Sequence, residues 1–181
     1  MIDIRNQLIT ACLLELEGVP GMDPDDDLLP EDPINELSRL ASEAIDGQAK
    51  GATSAERRRR CERVLELEAQ GFVNDERACF LAGLVMICGE SVADFHHAHR
   101  FARRATQLGD ERAWTLRAMA WDRLLIELGR PQHFGTQIIR IGGRWSLGEV
   151  NPNVTDWERA LFGVPPLYVQ LQRVEELQRS E

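Results

Sequence analysis

The spacing of hydrophobic positions along the chain predicts a mainly helical protein. Apolar side chains recur at intervals of three and four, the period of one helix face, in four stretches: 5–17, 35–45, 53–70 and 91–109. Residues 78–88 are apolar and contain no charged side chain. We expect them to form a helix that is buried on all sides at the centre of the fold. After residue 137 two short β-prone runs flank Gly142 and Gly143, which indicates a β-hairpin.

Residues that favour helix ends divide this pattern into elements. Three pairs match the capping box, in which a hydroxyl side chain and an acid three positions later cap a helix start: Thr53 with Glu56, Ser91 with Asp94, and Thr155 with Glu158. Asp110 is expected to cap the next helix, and Gly47 to end the helix over 35–45. The final helix has an apolar stripe expected to face inward, formed by Leu167, Leu171 and Val174.

A short internal repeat refines the predicted fold. The string DERA occurs at 75–78 and again at 110–113, an offset of 35 residues that is close to the period of about 34 in tetratricopeptide-type repeats. We therefore expect tetratricopeptide-like helical hairpins packed as one bundle, with one small β-hairpin near the C-terminus. Residues 1–52 are expected to supply N-terminal helices and an acidic loop that pack on a body formed by 53–181.

The charge balance narrows the possible partners. The 181 residues carry 30 acidic and 21 basic side chains, a formal charge of -9, which disfavours nucleic acid and anionic membranes as partners. The arginine run at 57–60 is therefore interpreted as solvated helix surface. No apolar run reaches about 18 residues, and the four cysteines have no paired spacing. A cytoplasmic protein with reduced thiols is expected.

The most specific chemistry lies between residues 122 and 137. Its polar side chains surround helix-ending glycine and proline. We predict His99 and Asp122 as catalytic candidates, because a buried histidine near a carboxylate is oriented and can act as a base. The candidate binding residues for a small polar molecule are Arg123, Gln132, Thr136 and Gln137.

A structural interpretation of the same residues is kept open. Asp122 is expected to be at least half buried and to need a hydrogen-bond partner. Asp122 and Arg123 would then tie the turn over 131–137 to the helices, with Gln132 and Gln137 completing a polar clasp. In addition, the turn is expected to face the helix that carries His99.

The histidines do not complete a metal site in this interpretation. His96 and His99 are three residues apart and share a helix face, but no H-E-x-x-H string or paired cysteines accompany them. No metal is predicted, and the residues identify no cofactor.

Several strings together resemble an uncharacterised bacterial family of unknown function. The resemblance spans about residues 75–171 and is carried by the following: Ala98 with His99, Asp122 with Arg123, the string GRPQHFGTQ at 129–137, Gly143 with Trp145, and the closing segment at 156–167. The family implies a grouping and no reaction. Its members usually have glutamine and histidine where this chain has Ile87 and Cys88. Cys88 could replace such a histidine only as a thiolate.

Two functions are consistent with the sequence. One is a polar pocket that binds or converts an unidentified small polar molecule. The alternative is a non-catalytic tetratricopeptide-like adaptor that binds a protein or peptide. A closed polar pocket would favour the first, and an open groove with exposed Trp114 or Trp121 would favour the second. The sequence does not decide whether the protein is an enzyme.

Overall fold

The computed structural model describes residues 31–180. The helix expected over 5–17 and the acidic loop that follows it lie outside this range. In the described part the elements are α1 Pro33–Lys50, α2 Ser54–Ala69, α3 Glu76–Ile87, α4 Val92–Leu108, α5 Ala113–Glu127, β1 Ile139–Ile141, β2 Arg144–Ser146, α6 Asp156–Leu161 and α7 Leu167–Arg179. The predicted mainly helical architecture with a single C-terminal hairpin is confirmed.

Helix α3 forms the centre of the main hydrophobic core, as its apolar composition predicts. Every residue from Ala78 to Cys88 is buried. The helix packs against α1, α2 and α5, and most extensively against α4. Gly83 allows the closest of these approaches, because a Cβ there would lie 3.0 Å from a methyl group of Leu116 on α5. The position of α3 thus fixes the arrangement of the first five helices.

Two smaller clusters attach the C-terminal third to this core. Ala118 on α5 packs with three residues from the following segments, namely Phe134, Val154 and Val164. The β-hairpin packs on α7 through Trp145 and Leu177, and the Trp145 amide donates to Oε1 of Gln178 at 3.1 Å. In the hairpin β1 and β2 are antiparallel, and Arg140 lies opposite Trp145. The C-terminal third therefore depends on α5 and α7 for its hydrophobic burial.

The three capping boxes form as predicted, at the starts of α2, α4 and α6. The expected end of α1 was wrong, because the helix continues past Gly47 to Lys50. A Cβ at Gly47 would lie 2.9 Å from the Cβ of Ala52 and 3.1 Å from Nη2 of Arg60. This glycine allows α1 to approach Ala52 and Arg60 closely, and the left-handed Gly51 ends α1.

Two further local predictions were wrong. Asp110 does not cap α5, whose N-cap is Arg112 without a side-chain hydrogen bond. The Asp110 carboxylate instead accepts from the Arg112 amide at 3.0 Å, in the turn before α5, and pairs with the Arg112 guanidinium at 2.8 Å. Leu171 is 50% exposed, and the buried residues of α7 are Gln170 and Leu177. A buried glutamine thus displaces the expected leucine from the inner face.

The two DERA strings occupy different local structures. Asp75 caps α3 through the amide of Ala78, whereas residues 110–112 form the turn before α5. The tetratricopeptide-like relationship of the two helix pairs therefore stays a prediction. Among residues 31–180, none of the helices combines the length and apolarity needed to cross a bilayer.

Candidate functional site

The Asp122 carboxylate accepts four hydrogen bonds from the segment that follows α5. Oδ1 accepts from the amides of His133 at 2.6 Å and Phe134 at 2.9 Å. Oδ2 accepts from the amide and the hydroxyl of Thr136, both at 2.8 Å. We call Asp122 together with residues 131–137 the clasp. The expectation that Asp122 accepts hydrogen bonds from this turn is confirmed.

The environment of Asp122 is fully buried, with 0% of the residue exposed. Burial raises the pKa of Asp122, and the four donors to its carboxylate oppose that rise. Both carboxylate oxygens already accept two hydrogen bonds, and three of the donors are backbone amides that cannot move independently of the fold. Asp122 thus holds the turn in place, and a substrate would have to displace these donors to reach it.

Gln132 and Gln137 complete the clasp with their side chains. Nε2 of Gln132 donates to the carbonyls of Gln137 and Leu147, and its Oε1 accepts from the Gln137 amide. Nε2 of Gln137 donates to the Met119 carbonyl at 3.3 Å and to the Thr136 hydroxyl at 3.0 Å. These predicted binding residues do come together, and their polar groups largely bond to one another and to backbone.

Arg159 on α6 is a member of this polar cluster that the sequence did not indicate. It is 2% exposed, and its guanidinium donates to the carbonyls of Phe134 and Val154. A second contact of Nη1 is with Oδ1 of Asp156 at 3.0 Å. An arginine in a short C-terminal helix would normally be interpreted as solvated, so no sequence signal distinguished it.

Arg123 takes no part in the clasp. It extends to the other side of α5, where its guanidinium stacks 4.7 Å from the Phe95 ring centre and pairs with Glu127 at 3.1 Å. Its Nε and Nη1 are buried and have no hydrogen-bond partner in the part of the chain described. Arg123 and the other candidate binding residues therefore face different environments.

His99 also lies apart from the clasp. Its ring is 5.1 Å from the Trp121 ring, and no hydrogen bond between His99 and Asp122 occurs within residues 31–180. Burial, together with the smaller effects of the nearby Arg117 and Arg103, lowers the pKa of His99 to about 4. The imidazole is therefore neutral at pH 7.

A set of aromatic and cationic side chains surrounds His99. Trp114, Arg117 and Trp121 repeat at helical spacing along one face of α5. The Arg117 guanidinium lies 5.5 Å from the ring centres of both Trp114 and Phe162. We call this surface the aromatic–arginine face; its members are His99, Arg103, Trp114, Arg117, Trp121 and Phe162. The α5 members are recognisable from sequence spacing, but the contribution of Phe162 from beyond α6 is not.

Cys88 is a buried cysteine with an unreactive thiol. Cys88 is 2% exposed at the end of α3. Burial raises the pKa of its thiol to about 12, so the thiol is protonated at neutral pH. Because only the thiolate is a strong nucleophile or metal ligand, Cys88 is suited to neither role at neutral pH.

The described part of the chain contains no obvious metal site. Among residues 31–180, histidine, cysteine and acidic side chains form no group of three or more with an arrangement suited to a metal ion. In comparisons with known proteins, no family model, no curated protein and no solved structure matches this chain. The family resemblance thus stays a prediction, and the functional assignment depends on the geometry.

Proposed function

We propose that the protein is a non-catalytic binding module whose aromatic–arginine face takes an acidic, partly apolar segment of a partner protein. Support comes chiefly from one observation: this face combines exposed tryptophans with arginines that have no carboxylate partner within residues 31–180. Trp114 and Trp121 are 37% and 36% exposed. Large aromatic side chains and arginine are the residue types enriched at protein interfaces.

The positive charge of the aromatic–arginine face favours a partner segment with acidic side chains. Arg117 and Arg103 lie close enough that Arg103, after burial, lowers the pKa of Arg117. No ion pair to either arginine is found in the described residues, although the whole chain carries a charge of -9. An acidic segment would relieve this local repulsion, and leucine or phenylalanine side chains in it would cover the tryptophans.

The same geometry gives less support to a catalytic pocket. A pocket that converts a small polar molecule needs polar groups free to contact it. Asp122, Gln132 and Thr136 bond within the clasp, and His99 lies beside Trp121. The alternative of a small-molecule pocket built from these residues stays a prediction.

A displayed library of random short peptides tests the proposed function. Peptides would be selected on the full-length protein, and their composition compared with that of the unselected library. We expect enrichment of Asp and Glu together with Leu, Phe or Trp. The selected peptides should lose at least about tenfold in affinity for Arg117→Glu and for Trp121→Ala, since hot-spot contacts of this type contribute about 2 kcal/mol or more.

Arg144→Glu is the matched control. Arg144 is exposed on β2, so its substitution makes the same charge change away from the aromatic–arginine face. It should leave peptide affinity within about twofold of the wild-type value. Selection without acidic enrichment, or peptides that bind Arg117→Glu as tightly as the wild type, would contradict the proposal.

A further inference from the structure

Two arginines of the run at 57–60 turn inward instead of forming solvated surface. Arg58 remains exposed beside Glu62, with 80% of its side chain accessible. Arg57, by contrast, is 24% exposed and pairs with Glu90 at 3.2 Å. Arg60 packs near Gly47. The interpretation of the whole run as solvated surface was wrong for these two residues.

Arg57 and Arg123 converge on the start of α4 from two different helices. Arg57 extends from α2 to Glu90, immediately before the N-cap Ser91, whereas Arg123 extends from α5 to Phe95 in the first turn. The charge of Arg57 also contributes to the lowered pKa of Arg123, after the larger effect of burial. We call Arg57 and Arg123 the arginine cluster.

The arginine cluster has more buried donors than its carboxylates satisfy. Three guanidinium nitrogens are buried without a hydrogen-bond partner in the described residues: Nε of Arg57, and Nε and Nη1 of Arg123. Buried polar groups nearly always have a partner, and buried charge without one is costly. The cluster therefore has the composition of a site whose acceptor is a bound anion.

The surrounding acids indicate which anion would fit. Glu90 and Glu127 each pair with one arginine, and their side chains are 45% and 27% exposed. The Asp94 side chain caps α4 and does not pair with these arginines, since its Oδ2 accepts from the amides of Glu90 and Ser91. A carboxylate thus already contacts each of the two converging arginines. A phosphate group offers more acceptor oxygens and can bridge two guanidinium groups.

We propose that Arg57 and Arg123 bind the phosphate group of a small molecule at the N-terminal end of α4. The Glu90 and Glu127 side chains are exposed enough to rotate away as the phosphate enters. This site is on the opposite side of α5 from the aromatic–arginine face, because Trp121 and Arg123 differ by about 200° around the helix.

The direct test is to titrate the full-length protein with inorganic phosphate and to measure the heat of binding by calorimetry. Sodium chloride is adjusted to keep the ionic strength constant. We expect saturable binding. Arg57→Gln should weaken it at least about tenfold, because it removes a charge-assisted contact. Arg58→Gln is the matched control, since it makes the same change on the same helix at an exposed position, and it should retain wild-type affinity.

Glu127→Gln separates ligand binding from a purely structural role. Glu127 competes with the phosphate for Arg123, so its neutralisation should tighten phosphate binding several-fold. A structural arginine cluster would give no such gain. Absence of saturable phosphate binding in both the wild type and Glu127→Gln would overturn the proposal. Equal phosphate affinity in folded Arg57→Gln and Arg58→Gln would also overturn it.

Discussion

The Asp122 carboxylate is buried away from water, and the four hydrogen bonds that it accepts offset the free-energy cost of burying it. Asp122→Ala removes the carboxylate and strands three buried backbone amides. We expect a loss of about 2 to 4 kcal/mol in the free energy of unfolding. Urea denaturation followed by circular dichroism measures this loss.

Asp46→Ala is the matched comparison for that experiment. Asp46 is on α1, 61% of its side chain is exposed, and it pairs only with Lys50. Its removal should cost less than about 0.5 kcal/mol. An Asp122→Ala protein as stable as Asp46→Ala would rule out the clasp as a stabilising feature.

His99 gives the folded protein a specific sensitivity to acid. Its pKa is lowered from 6.5 to about 4 on folding, so the unfolded chain binds the proton more tightly. The corresponding stabilisation is complete above pH 6.5 and is lost as the pH falls towards 4. Thermal melts of wild type and His99→Gln across this range should show a steeper acid loss for the wild type.

His96→Gln provides the control for His99, because His96 is exposed on the same helix. It should retain most of the wild-type slope of stability against pH between 6.5 and 4, because the charge of His96 is the smallest of the effects that lower the pKa of His99. Identical slopes for wild type and His99→Gln would show that burial does not hold His99 neutral.

The environments of some individual residues could be predicted from the sequence, and those of others could not. Asp122 could be predicted because a carboxylate on a buried helix stripe, followed by a polar turn, needs donors from that turn. Arg57 and Arg58 are adjacent and chemically identical, and only packing against the start of α4 decides which one turns inward. Arg159 is likewise buried by tertiary contacts that no local pattern encodes.

At the scale of elements, Gln132 connects segments that are otherwise held by few hydrogen bonds. Its amide side chain joins residue 137 to Leu147, and its backbone pairs with residues 149 and 151. Gln132→Ala should therefore loosen the β-hairpin selectively. Hydrogen exchange should accelerate at residues 138–147 more than in α3, since the hairpin lies outside the main core.

Gln107→Ala is a suitable control, since Gln107 is exposed near the end of α4. It should leave exchange in the hairpin unchanged. Uniform acceleration across α3 and the hairpin in Gln132→Ala would mean that the two regions unfold together, against the expectation.

Element boundaries were predictable where a local signal determines them. The capping boxes are local, so Thr53, Ser91 and Thr155 marked three helix starts correctly. Gly47 was misinterpreted because its role is to permit contact with Ala52 and Arg60, and a glycine needed for close packing resembles one that ends a helix. On α7, Leu167 and Val174 pack inward as predicted, whereas Leu171 is exposed and Gln170 is buried in its place.

For the whole molecule, the distribution of charge matters more than its sum. The chain is acidic, yet Arg103 and Arg117 leave a cationic region beside exposed tryptophans. The acidic peptides selected on this face should bind several-fold more weakly when sodium chloride rises from about 0.05 to about 0.5 M. Fluorescence anisotropy of a labelled peptide measures the change. Salt-independent binding would mean that the arginines do not attract the peptide.

The clasp also has a consequence for how the chain is made. Synthesis proceeds from the N-terminus, so α5 leaves the ribosome before the amides of residues 133–136 that solvate its buried Asp122. Until those residues emerge, α5 cannot dock fully without burying an unsolvated carboxylate. A nascent chain from which α5 has emerged, but residues 133–136 have not, would expose the apolar surface of α5 to chaperones, and emergence of a few more residues would allow α5 to dock.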